Sequence, residues 1–120
     1  ILTAMENKHL DILAHPTGRM IGKREPYEVD LKKIFAGAAE RNILLEINAY
    51  PERSDLKDVH AREAKSFGCK FVINTDSHST ENLKFMELGV AIARRAWLSP
   101  EDVVNTRSLK ELPKFFRRIS

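Results

Sequence analysis

The sequence has a single cysteine, Cys69. That excludes a disulfide within the chain and suits a reducing compartment, the cytoplasm. Cys69 lies in FGCKFVI, at the lip of an apolar run, and reads as a small buried hydrophobe rather than a reactive thiol. No apolar run approaches the roughly 18 residues that a membrane span requires. The opening ILTAMENKHL has neither the basic start nor the long apolar stretch of a signal peptide. It also lacks an initiating Met, so residue 1 is not expected to be the natural start of a gene product. There is no Gly-rich phosphate loop, no Ser-His-Asp pattern and no Cys-x-x-Cys. Internal repeats and low-complexity linkers are lacking too, so a single domain is expected.

Charge of one sign is also scarce. Twenty Lys and Arg stand against 17 Asp and Glu, giving a net charge of +3 and a pI near 9.1. This permits a polyanionic partner without requiring one. The small basic excess near the end (Lys110, Lys114, Arg117, Arg118) reads as a solvated last helical turn favoured by the helix dipole.

What is present is a soluble globular composition, with 42% hydrophobic and 31% charged residues over 120 positions. Three short apolar runs, 11–15, 43–48 and 70–76, are each bounded by turn formers and too short for helices. They read as buried strands. They do not alternate cleanly, as expected for a parallel sheet covered on both faces.

Helical patterns lie between the runs. Leu31, Ile34, Phe35 and Ala38 follow the i, i+3, i+4, i+7 spacing behind Asp30, a good N-cap. Leu56, Val59, Ala64 and Phe67 fit a second helix, with Asp55 near its start and Gly68 past its end. Thr80 is read as capping a third helix through Leu83 and Met86 that Gly89 stops, with Val90–Trp97 a further short helix. Ser99-Pro100-Glu101-Asp102 is a helix start, and Ser108-x-x-Glu111 a capping box with Pro113 near the first turn. The order predicts an α/β chain of about three parallel strands joined by crossover helices. Three strands cannot close a barrel, so the sheet is either small and open or the last portion of a barrel.

Ligands in such folds bind at the C-terminal ends of the strands. Each apolar run ends there in polar chemistry: His15-Pro16-Thr17-Gly18-Arg19, then Glu46, Asn48 and Tyr50-Pro51-Glu52-Arg53, then Thr75-Asp76-Ser77-His78-Ser79. Asp76 and His78 are two apart, so in extended backbone they point the same way at about 6–7 Å. That suits one metal cluster or two neighbouring ions, with a hard oxygen from Asp and a neutral nitrogen from His. The bland alternative is a helix N-cap at Ser77 or Ser79 with His78 exposed. His15 reads as a hydrogen-bonded core residue or a ligand. Arg19 and Arg53 read as solvated turn residues or as forks for a phosphate. Glu46, a carboxylate in a buried run, must be metal-linked or ion-paired. His9 and His60 read as surface or packing residues, and Trp97, Phe115 and Phe116 as core or interface anchors.

Together, HPTGRMIGKREPYEVD, LEINAYPERSDLKDVHA, INTDSHS and GVAIARRAWLSPEDVVNT resemble the polymerase and histidinol phosphatase (PHP) domain, in the version found at the C-terminus of bacterial and archaeal family X DNA polymerases. The resemblance runs from about residue 4 to 118. It implies the C-terminal part of a distorted barrel of seven strands, with a trinuclear cluster of Mn²⁺ or Zn²⁺ at the strand C-terminal ends. The implied activity is metal-dependent phosphoester hydrolysis on DNA, either 3′–5′ exonuclease or 3′-end and abasic-site processing. By matching motifs, His15, Asp76 and His78 would each be a ligand of a different ion. Arg19, Glu46, Asn48 and Arg53 would line the site. The implied partners are DNA, the N-terminal remainder of the PHP domain and a polymerase domain. The family's opening His-x-His motif, a further acid-and-His region and a bridging Glu are not in this sequence. The chain alone is therefore expected to be inactive and prone to self-association. A small-molecule phosphatase of the histidinol phosphate type and a non-catalytic nucleic-acid-binding module are the alternatives.

Overall fold

The structure is a computed structural model in which residues 1–116 are described. Arg117 and Arg118 of the expected basic cluster lie outside the described residues. The elements are β1 (Ile12–Leu13), α1 (Leu31–Arg41), β2 (Leu44–Asn48), α2 (Asp58–Ser66), β3 (Phe71–Asn74) and α3 (Met86–Arg95), with short 3₁₀ turns before, between and after them. The three strands form one parallel sheet in the order β1-β2-β3. This is the α/β architecture that the alternation of apolar runs and helical patterns predicts.

All five residues of β2 are buried, because both faces of the central strand are covered. Leu45 and Ile47 face one way and join Phe71, Ile73, Ile34, Phe35, Ala61, Ala64 and Ile92 in the main core. Leu44 faces the other way, in a second cluster with Val72 and Val104, backed by Ile12, Phe115 and Phe116. Cys69 is buried with its Sγ 3.2 Å from the Phe35 carbonyl oxygen, and burial pushes its thiol up to about 11. Among the described residues no helix is long and apolar enough to cross a membrane.

Asp30 caps α1 as expected, its Oδ1 accepting the Lys33 N–H at 3.2 Å. Both later capping signals are present in the structure. Asp102 Oδ2 accepts from the Ser99 N–H and hydroxyl, and Glu111 Oε2 from those of Ser108. The first opens the 3₁₀ turn Pro100–Asp102; the second closes a turn over 108–111 that leads into the 3₁₀ turn Leu112–Phe115.

Three readings need correction. Gly89 does not stop a helix: α3 runs through it to Arg95 and absorbs most of the separate helix expected over 90–97. A Cβ at Gly89 would collide with Ile73 Cγ2 and lie 2.8 Å from Ala49 Cβ. The glycine is there to let α3 approach the sheet. The segment that Thr80 opens is a 3₁₀ helix, Thr80–Phe85, with Ser79 at the N-cap and no side-chain cap bond. The second helix starts later than Leu56: α2 begins at Asp58, and Asp55, three residues earlier, is fully buried. Within α2 the buried face is Ala61 and Ala64, while Val59 is exposed.

Trp97 is not a core residue. It is 70% exposed, with the Arg62 guanidinium 3.8 Å from its ring centroid.

Candidate active site

The second face of the sheet changes character along its length. It begins with Leu44 and Val72 and ends with Glu46, Asn48 and Asn74, because alternate residues share a face and the register sets Asn48 opposite Asn74. Glu46 is only 5% exposed yet has no cationic partner among the described residues, so the ion-pair reading fails. Amides hold it instead. Its Oε2 accepts the His15 N–H at 2.6 Å and Asn48 Nδ2 at 3.3 Å, and its Oε1 accepts Asn74 Nδ2 at 2.9 Å. Neutral donors thus satisfy a buried carboxylate. Through its bond to the backbone, this carboxylate holds the residue that follows β1.

His15 opens the turn after β1, with φ +29. The turn is anchored from below by Asp55, whose Oδ2 accepts the Thr17 and Gly18 N–H groups, each at 3.0 Å. Burial raises the Asp55 pKa, opposed by the Thr17 side chain, by the two N–H bonds and by the nearby Arg19 charge. Gly18 has φ +63, and a Cβ there would strike the Tyr27 ring. The bend expected at Gly18-Arg19 exists, but it sends Arg19 inward. Its Nε donates to the Arg53 carbonyl at 2.8 Å and its Nη2 to the Ser54 carbonyl at 2.5 Å. These two donors fasten two loops together.

Asp76, also left-handed at φ +54, stands at the tip of β3. Its Oδ2 accepts Asn48 Nδ2 at 3.0 Å and lies 3.4 Å from Arg53 Nε. Its carbonyl oxygen is 2.7 Å from His78 Nδ1. A carbonyl only accepts, so Nδ1 carries the proton, and the matching neutral tautomer is the one with its lone pair on Nε2, the form a metal ligand takes. The His78 N–H donates to Asn82 Oδ1 at 3.0 Å, and Tyr50 meets its ring edge-on. His15, Ser54 and Asp76 are three non-glycine residues in the left-handed region in loops at this one edge, the sparsely populated conformation that clusters at functional sites.

These bonds link His15, Glu46, Asn48, Asp76 and Arg53 into one polar chain, with His78 attached through the Asp76 carbonyl. Tyr50, Arg53, Asp76 and His78, with Met20 and Glu52, line an open pocket of about 310 Å³. Arg53 Nη1 is buried there without a protein partner. Arg19 does not line this pocket, and among the described residues no three His, Cys, Asp or Glu side chains converge on one metal position. A larger pocket, about 380 Å³, lies at the opposite end of the strands near Ile43, Gly68 and Lys114, away from this polar chain.

Sequence reasoning missed Asp55 and Asn74. Asp55 was placed only near a helix start, and nothing local marks Thr17, 38 residues away, as its partner. Asn74 lies within INTDSHS, but Asp76 and His78 took the attention there and Asn74 was given no role of its own.

The chain is 47% identical over 116 residues, 97% of its length, to the DNA polymerase/3′-5′ exonuclease PolX of Bacillus subtilis. It is homologous to that region of PolX. The match spans about a fifth of PolX, 20% of its length. A probable phosphatase of Clostridium acetobutylicum is 31% identical over 84 residues, covering 65% of this chain and 32% of that protein. A probable phosphatase of Aliivibrio fischeri is 22% identical over 119 residues, covering 93% and 46%. No family model matches the chain.

Proposed function

We propose that residues 1–120 are the C-terminal part of a PHP phosphoesterase domain whose parent, a cytoplasmic family X DNA polymerase, hydrolyses phosphoesters at DNA 3′ ends with Mn²⁺ or Zn²⁺. The observation that carries the reading is the meeting of the Arg53 guanidinium, the Asp76 carboxylate and the His78 imidazole in one open pocket at the strand ends.

The donor types fit such ions: oxygen from Asp76, and nitrogen from His78 Nε2 and His15. The lack of three convergent donors among the described residues fits a chain that gives each ion one ligand, the rest coming from other segments of the parent. Bound ions of this kind supply Lewis-acid polarisation of a phosphoryl oxygen and acidification of water. Within this chain, Glu46 and Asn48 hold His15 and Asp76 in place. Arg53, which lines the open pocket and faces Asp76 through its Nε, is the guanidinium nearest a substrate phosphate there. Arg19 serves by holding the Arg53–Ser54 loop.

The test uses the full-length protein and a 3′-labelled oligonucleotide with Mn²⁺. The expected result is nucleotide release that chelator stops and that His78→Ala or Asp76→Ala lowers at least about 100-fold. Full activity in both variants would overturn the reading. The two probable phosphatases favour a second reading, hydrolysis of a small phosphomonoester. A higher kcat/KM on a phosphomonoester than on the oligonucleotide would select it.

A further inference from the structure

The open pocket at the strand ends has an apolar side. Its lining joins Met20 and Tyr50 to Glu52, Arg53, Asp76 and His78. The carboxylate, imidazole and guanidinium suffice for a metal ion and a phosphate group. A thioether and a phenol ring add nothing for either. They suit the body of a substrate, since binding sites set a few placed polar groups against an apolar wall.

Both wall residues are held in place. The Tyr50 N–H donates to Asn48 Oδ1 at 3.0 Å, and its carbonyl accepts the N–H groups of Arg53 and Ser54, each at 2.9 Å. The Tyr50 ring meets that of Phe85 at 5.4 Å between centroids and that of His78 at 6.2 Å, both near perpendicular. Met20 stands in the turn after β1. Its N–H donates to the Arg24 carbonyl at 2.9 Å, and the next N–H, from Ile21, donates to the Glu52 carbonyl at 2.6 Å. Asn48 anchors Tyr50 through its Oδ1 and the Asp76 carboxylate through its Nδ2. The wall and the polar chain are therefore set relative to one another before a substrate arrives.

Charge narrows the occupant. Arg53 is the cation of the pocket lining, and Glu52 is paired with Lys23 Nζ at 3.0 Å. One phosphate group is accommodated; a second would find Glu52 and no further cation in the lining. The remainder of the substrate is then neutral. An aromatic ring and a polarisable thioether match the flat face of a nucleobase.

We propose that Tyr50 and Met20 form the wall that receives the nucleobase beside the scissile phosphate, and so determine specificity at this site. The proposal rests on the phosphoesterase reading of the same pocket.

The experiment compares two oligonucleotides, using the full-length protein with Mn²⁺. One ends in an ordinary 3′ nucleotide. The other ends in a tetrahydrofuran residue, which keeps the phosphodiester and lacks the base. The expected wild-type kcat/KM is at least about 10-fold higher for the first. Tyr50→Leu should bring that ratio to within about threefold of unity, while Tyr50→Phe, which keeps the ring, should retain it. Met20→Ala should lower the ratio at least about threefold, and reads the wall from a second segment should Tyr50→Leu fail to fold. If Tyr50 only supported the His78 ring, both substrates would slow equally and the ratio would not move. A wild-type ratio near unity, or a ratio unchanged in the folded wall variants, would overturn the proposal and leave the phosphoesterase reading standing. Release from neither oligonucleotide, or release that chelator does not stop, would remove that reading and the proposal with it.

Discussion

The side-chain amide of Asn48 donates to Asp76 Oδ2 at 3.0 Å, so the last residue of the central strand holds the carboxylate beyond the tip of its neighbour. The same Nδ2 reaches Glu46 Oε2 at 3.3 Å. Asn48→Ala removes the shared donor and leaves a buried carboxylate short of a partner. The expected cost is about 2 kcal/mol of stability, read from the urea midpoint. The oligonucleotide-cleaving activity of the full-length protein is expected to fall about 10–100-fold. Wild-type values of both would show that the contact does not position Asp76.

Gly89→Ala adds a methyl group against Ile73 and Ala49. Helix propensity favours alanine by up to about 1 kcal/mol, but overpacking costs about 1–3 kcal/mol. The net effect expected in chemical denaturation is destabilisation. A more stable Gly89→Ala chain would mean that α3 has room to move outward.

Much of the sheet and α1 was legible from local pattern. The short apolar runs 43–48 and 70–76 announce strands, and Asp30 announces a helix start, because the physics in each case lies within a few residues; the run 11–15 forms only the two-residue, half-buried β1. Gly89 was misread since its role depends on Ile73 and Ala49 across the sheet, and Asp55 since its partners are Thr17 and Gly18. The candidate site shows the same division. Asp76 and His78 stood out because an apolar run ends in them. That Arg19 binds carbonyls of 53 and 54 while Arg53 keeps a free Nη1 is decided by loop packing, and two arginines in turns look alike in sequence.

Asp102 is mostly buried. Burial would raise its carboxyl, but the Ser99 N–H and hydroxyl and Lys65 Nζ at 2.9 Å outweigh it and hold the pKa down at about 2, below the ordinary 3.8. A depressed folded-state pKa adds stability that is present above the unfolded value and is lost as pH falls through the folded one. About 1–2 kcal/mol, discounted because Lys65 is partly exposed, should therefore vanish between about pH 4 and 2. Asp102→Asn should flatten that part of the stability–pH curve; an unchanged slope would contradict the assignment.

With its thiol pushed up to about 11 and its side chain buried, Cys69 has almost no thiolate at pH 8. Alkylation by iodoacetamide at that pH should be at least about 100-fold slower in the folded chain than in denaturant. Equal rates would place the thiol at the surface.

The most direct test of the central claim is the metal content of the full-length protein, measured by elemental analysis beside His15→Ala, Asp76→Ala and His78→Ala. The account predicts that each variant stays folded and loses bound Mn²⁺ or Zn²⁺ relative to wild type, since each removes one ligand from the strand-end site. Undiminished metal in all three would contradict it and leave the polar chain a structural network.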